Sequence, residues 1–117
     1  MAPLTDPVRL RAYRNALANW SFTDFVTWKE VAARWVYREL PAWTLKAIAE
    51  QMHLHVAAGG DIDEQPETRE AWLEYEFHYD LRIRIGNRRI YIETLLSYDD
   101  PDDPDDPTIH VVSIHDQ

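Results

Sequence analysis

The 117-residue chain has no cysteine, which excludes a disulfide framework, thiol catalysis and every cysteine-ligated zinc site. Only histidines and carboxylates remain as metal ligands. No apolar run approaches the roughly 18 residues that cross a bilayer, and the opening MAPLTDPVRLRAYR lacks the apolar core of a secretion signal. A cytoplasmic protein without membrane contact is expected. Excess positive charge is also lacking: the formal net charge is −9, which disfavours long-range attraction to nucleic acid or anionic lipid. Beyond an Asp-Asp-Pro triplet there is no internal repeat.

Large apolar side chains are plentiful. The hydrophobic fraction is 45%, with five Trp, six Tyr and three Phe, enough to offset the ordering entropy of one domain spanning 1–117. The charge divides unevenly. Residues 1–58 carry seven Lys/Arg against five Asp/Glu, whereas residues 59–117 carry five against sixteen. The N-terminal part can therefore face a polyanion although the whole is acidic.

Periodicity predicts a helical half over 1–60. Asp6-Pro7 reads as an N-cap with proline in the first turn, followed by Leu10, Tyr13, Leu17 and Trp20 at helical spacing. Thr27-Trp28-Lys29-Glu30 matches a capping box, with Val26 and Val31 placed as a hydrophobic staple, so a second helix is predicted from Trp28 to about Leu40, before Pro41. A third, from about Ala42 to Ala57, ends at Gly59-Gly60. Asp61 to Arg69 shows no apolar period and reads as a surface connection.

From about residue 70 to 117 the period becomes two. Tyr75, Phe77, Tyr79, Leu81, Ile83 and Ile85 alternate with Glu74, Glu76, His78, Asp80, Arg82 and Arg84, as a half-buried strand requires. Gly86-Asn87 reads as a two-residue hairpin turn, and Ile90, Ile92, Thr94, Leu96 and Tyr98 continue the alternation. Pairing Ile85 with Arg88 sets Ile83 opposite Ile90, Leu81 opposite Ile92, Arg82 opposite Tyr91, Asp80 opposite Glu93, His78 opposite Leu95 and Phe77 opposite Leu96. A four-residue loop would instead pair Arg82 with Glu93. The run Asp99 to Pro107 predicts a solvated, extended acidic loop, and Thr108 to His115 a third strand. The expected architecture is thus α+β: three N-terminal helices packed on one face of a C-terminal three-stranded antiparallel sheet, the other face left available. The edge of its first strand leaves room for a homodimer.

The polar face of this hairpin collects the candidate catalytic residues His78, Asp80, Arg82, Tyr91 and Glu93, adjoined by His115 from the last strand. His and carboxylates exchange protons, and arginines stabilise anionic charge that develops during reaction. Asp80 opposite Glu93 would raise one carboxylate's pKa unless an arginine lies between them. Arg84 and Arg89 are candidate substrate contacts, joined by Arg69 from Glu67-Thr68-Arg69 at the sheet edge. A solvated sheet face is also charged for ordinary stability, and exposed ion pairs are common without a function.

No metal or cofactor is expected. His53 and His55, two apart on a helix, do not share a face, and no histidine stands at a recognised ligand spacing. The Asp-rich loop lacks an EF-hand's glycine and terminal glutamate. The tryptophans read as core packing rather than as a base-stacking platform. The segment around Thr44 to Gln51 lacks the turn and basic face of a DNA-reading helix.

Helices followed by a curved antiparallel sheet whose open face bears Arg, His, Tyr and Glu resemble the RelE/barnase-like small toxin ribonucleases. The resemblance covers the order of elements over most of the chain and no specific motif. It implies metal-independent RNA cleavage, a base among Glu93, Asp80 and His78, a proton donor among His115, His78 and Tyr91, phosphate contacts from Arg82, Arg84 and Arg89, and a protein antitoxin as partner. The acidic total departs from the basic character of those toxins. The competing expectation is a noncatalytic interaction protein, such as an antitoxin, immunity protein or nucleic-acid mimic, whose acidic lobe binds a basic partner.

Overall fold

Three helices form close to where their periodicity places them. In the computed structural model, which describes residues 2–117, α1 spans Pro7–Ala18, and the Asp6 carboxylate caps it by accepting from the Arg9 backbone N–H at 2.9 Å. Helix α3, Leu45–Ala57, begins at a Thr44 cap that accepts from Ala47 N–H at 3.0 Å, three residues later than expected. It ends at Gly59, whose φ of 85° suits a glycine stop.

Helix α2, Glu30–Glu39, corrects the capping-box reading: its N-cap is Lys29, with no side-chain cap. Thr27 lies instead in a three-residue strand, β2 (Val26–Trp28), and its hydroxyl meets His110 Nδ1 at 2.8 Å. A backbone that completes a sheet edge gains ladder hydrogen bonds that an extra helical turn cannot offer there. Val31, the expected staple residue, is exposed.

The sheet has six strands and is mixed, not three-stranded and antiparallel. Its order is β1-β3-β4-β5-β6-β2, with β1 at Ala2–Pro3, β3 at Asp63–Pro66, β4 at Phe77–Ile85, β5 at Arg88–Ser97 and β6 at Thr108–Asp116. The predicted hairpin register holds from Ile85↔Arg88 to Tyr79↔Thr94 and stops there, short of the two outermost pairs expected. Gly86 supplies the turn's positive φ, 62°. The last strand pairs antiparallel with β5, and β2 then adds to β6 in parallel.

The predicted connection at 61–69 contains β3, which covers the β4 edge that had been expected to stay open. It escaped detection because polar contacts hold it. Glu64 accepts two hydrogen bonds from Arg9 of α1, at 2.8 and 3.0 Å, while Asp63 pairs with Arg82. Residues 70–76 are a short 3-10 turn and bends rather than the start of the strand.

The main core lies between helices and sheet: Tyr13, Leu17, Val36, Ile48, Met52, Leu81, Ile92, Ile109 and Val111 are each at most 1% exposed. Trp28, Trp35 and Trp43 pack against it. Within it, Tyr13 Oη and Thr94 Oγ1 lie 2.9 Å apart, and the threonine hydroxyl donates to Tyr79 O at 2.6 Å. Tyr13→Phe is therefore expected to cost about 1 kcal/mol, since Thr94 keeps one of its two partners. A urea-denaturation midpoint unchanged from wild type would exclude that hydrogen bond.

The Asp-rich segment is not extended. Asp100 and Asp103 carboxylates accept from the N–H groups two residues on, both at 2.9 Å, and Asp100-Pro101 and Asp103-Pro104 each open a backbone turn. Asn15 and Asn19 of α1 donate to the Pro101 and Pro104 carbonyls, each at 2.8 Å, tying the loop to the helix.

Candidate functional site

Beyond the helix-covered face, the sheet presents a second face that is only partly open. The segment from Glu67 to Glu76 crosses it, joined at its ends by Glu67 N–H to Glu76 O at 3.0 Å. Its Trp72 ring rests 5.9 Å from that of His110. Leu95 and Val112 are buried yet stand outside the helix-side core. A β-bulge shapes this region: Glu93 pairs with Ser113 but Thr94 with Val111, leaving Val112 as the extra residue.

Asp80 lies at the centre with no solvent exposure. Three side chains approach it from three positions. Gln65 of β3 donates to Oδ2 at 2.6 Å, His78 Nδ1 lies 2.8 Å from Oδ1, and the Tyr91 hydroxyl donates to Oδ2. Burial, and then the bond to Asp80, hold the Tyr91 phenol well above its usual pKa, so Tyr91 keeps its proton. Strand alternation places His78 and Asp80 on one face, and the hairpin register sets Glu93 opposite Asp80.

An arginine pairs with Glu93, but among the described residues no hydrogen bond joins it to Asp80. Arg69 Nη1 donates to Glu93 Oε2 at 2.9 Å, while its Nε and Nη2 grip both oxygens of Glu67 at 2.8 and 2.7 Å. With its donors committed in this way, Arg69 positions Glu93 and anchors the crossing segment. One ligand atom each from His78, Asp80 and Glu93 falls within 4.8 Å of the others, a convergence that helix-based ligand spacings do not reveal.

Five of the expected residues, His78, Asp80, Tyr91, Glu93 and Arg69, thus meet in one cluster, Arg69 through its bonds to Glu93 and Glu67. Arg82 borders it, over the Tyr91 ring at 5.2 Å and paired with Asp63. His115 stacks on the opposite part of the border, its ring 5.1 Å from that of Tyr91. Arg84 and Arg89 pair across the strands near the hairpin turn, exposed and away from Asp80. Gln65, Asp63 and Ser113 went unnoticed in sequence. Only for Ser113 was there a usable signal, its alternation with Val112 and Ile114.

Glu67 also sets a pH dependence. The Arg69 hydrogen bonds hold its carboxyl below the ordinary 4.5, against the opposing effect of burial. A depressed folded pKa means that its stabilisation is complete above the unfolded value and is lost as pH falls from about 4.5 through the folded value. Glu67→Gln is expected to reduce stability at pH 7 and to flatten the decline below pH ~4.5; denaturation midpoints across pH 3–7 that parallel wild type would refute this role.

No helix among the described residues is long and apolar enough to cross a membrane. Compared with protein-family profiles, curated proteins and solved structures, the chain matches none of them.

Proposed function

We propose that this second sheet face is the active site of a toxin-like ribonuclease that cleaves RNA without a metal ion. The observation that carries the reading is the convergence of His78, Asp80, Tyr91 and Glu93 around a buried carboxylate, with a pairing arginine in place. Acid-base cleavage requires two proton-transfer groups side by side and a fixed environment that orients them.

Glu93 takes the proton of an RNA 2′-hydroxyl, and the resulting oxygen attacks the adjacent phosphorus. The phosphorus–O5′ bond breaks, and His78, as imidazolium, gives its proton to the departing O5′. The products are a 2′,3′-cyclic phosphate and a free 5′-hydroxyl, and exchange with solvent restores both groups. Asp80 is too buried to meet RNA; it is a positioning residue that orients the His78 ring. Exposed Arg84 and Arg89 guide the phosphate backbone toward the site, and a protein antitoxin covers the same face.

The test is incubation of purified protein with RNA in excess EDTA, followed by analysis of the fragment ends. Cyclic phosphate termini formed by wild type, but not by His78→Ala or Glu93→Gln, are expected. Intact RNA, or fragments produced equally by the variants, would sink the reading.

The acidic-partner reading has its own support in the Asp-rich loop, whose successive turns are fixed on α1 and hold a dense negative surface in shape. It would take precedence if wild type left RNA intact while a basic protein bound and lost affinity on neutralisation of Asp102 and Asp105.

A further inference from the structure

We propose that His78, Asp80 and Glu93 also form a binding site for a divalent transition-metal ion, with zinc as the principal ligand, and that the bound ion shuts off the acid-base site. The inhibitory consequence rests on the ribonuclease reading; the binding itself does not.

Geometry supports the site. Neighbouring ligands of a tetrahedral ion with bonds of about 2.1 Å lie about 3.4 Å apart, and His78 Nδ1 and Asp80 Oδ1, hydrogen-bonded at 2.8 Å, need to part by only about 0.6 Å to reach that spacing. The third ligand atom, from Glu93, completes a group within 4.8 Å, so a shift of about 1–2 Å in one partly exposed side chain closes the shell.

Outer contacts divide the carboxylate oxygens in the way metal sites require. Gln65 and Tyr91 hold Asp80 Oδ2, leaving Oδ1 toward His78. Arg69 holds Glu93 Oε2, and no hydrogen bond among the described residues engages Oε1. Glu93 is thus anchored through one oxygen and presents the other, while Asp80 Oδ1 meets His78 Nδ1 across a hydrogen bond whose proton the ion would displace to solvent.

Charge points the same way. Glu67, Asp80 and Glu93 contribute three negative charges, and among the described residues Arg69 is hydrogen-bonded to Glu67 and Glu93 while Arg82 pairs with Asp63. These three carboxylates and Arg69 sum to about two negative charges, which a dication would offset. One imidazole with two carboxylates favours Zn²⁺ or Mn²⁺ over Mg²⁺, which prefers an all-oxygen shell. The ion would have a way in, because the His78 and Glu93 side chains keep 15% and 22% of their exposure while Asp80 has none. Once bound, it occupies the lone pairs that Glu93 and His78 need for proton transfer.

The experiment uses the full chain, stripped with chelator and titrated with Co²⁺ as a spectroscopic probe, then with Zn²⁺ in competition. Saturable one-to-one visible absorption is expected in wild type, displaced by Zn²⁺ and at least about 10-fold weaker in His78→Ala and Glu93→Gln. NMR of wild type alone provides a second reading that no folding defect can obscure: Co²⁺ should perturb the His78 ring, leaving His53 and His55 unchanged. No saturable binding, or perturbation centred on another histidine or on the Asp-rich loop, overturns the site. In the cleavage assay, Zn²⁺ should inhibit wild type. Stimulation by Zn²⁺ would overturn the shut-off, and absence of cleavage by the metal-free protein, with saturable Co²⁺ binding intact, would overturn the ribonuclease reading and leave the metal site standing.

Discussion

Replacing His78 with alanine is expected to slow RNA cleavage by about 10²–10⁴-fold, the usual contribution of a positioned acid or base, with little change in KM. The split between the two constants follows from the layout of the face. In the proposed mechanism His78 would act at the departing oxygen, so its loss should be felt in the transition state, whereas ground-state contact with RNA would fall to Arg84 and Arg89, which pair near the hairpin turn. Arg84→Ala with Arg89→Ala should give the opposite pattern, a raised KM and a salt-sensitive loss. Asp80→Asn should lower kcat less than His78→Ala does, because the ring loses its anionic support but keeps its own proton-carrying nitrogen. Steady-state kinetics on a short RNA at two salt concentrations would separate these cases. A His78→Ala variant with wild-type kcat would remove the acid-base role altogether.

Ile92→Ala is expected to cost about 2–5 kcal/mol, a large part of the roughly 5–15 kcal/mol that stabilises a domain of this kind. Ile92 lies in the middle of β5, between Leu81 on one side and Ile114 on the other. It has no solvent exposure, and neither has Leu81. The cavity would be bounded by paired strands with helices above, leaving little freedom to collapse, and the full packing loss should register. Ile83→Ala, nearer the hairpin turn and 7% exposed, should cost less. Urea unfolding of both variants checks the ranking; equal midpoints would mean that the sheet centre relaxes as easily as its end.

Much of the candidate site was readable before any coordinates, for a local reason. Side chains alternate with period two along a strand, and a two-residue turn locks the register of the next one. His78, Asp80, Arg82, Tyr91 and Glu93 therefore had to share a face, with Asp80 opposite Glu93, as observed. The same logic contained a ligand set: His-x-Asp on a strand, opposite a Glu, gathers three donors as effectively as the helical spacing that was sought instead. Arg69 was visible as a candidate but not its commitment to Glu67 and Glu93, which depends on a segment folding back across the sheet.

Elements held by long-range polar contacts were not readable. Strand β3 has no apolar alternation because its side chains answer to Arg9, Arg82 and Asp80, each distant in sequence. Thr27 to Glu30 satisfies the local rule for a helix start, yet the open edge of β6 competes for the same backbone, and local propensity gives way to tertiary hydrogen bonding. The Asp-rich loop was read from composition alone, which registers charge and proline but not the two asparagines of α1 that hold it.

By itself, then, the sequence determined the three helices, the central hairpin with its register, and which side chains lie on each of its faces, because these follow from neighbours a few residues apart. Only the tertiary structure decided that the sheet has six strands, that Asp80 is fully buried, and that Gln65 reaches it while Arg69 pairs with Glu93 beside it. Those outcomes depend on which unpaired edge and which buried charge find a partner, a competition settled only when the whole chain is packed.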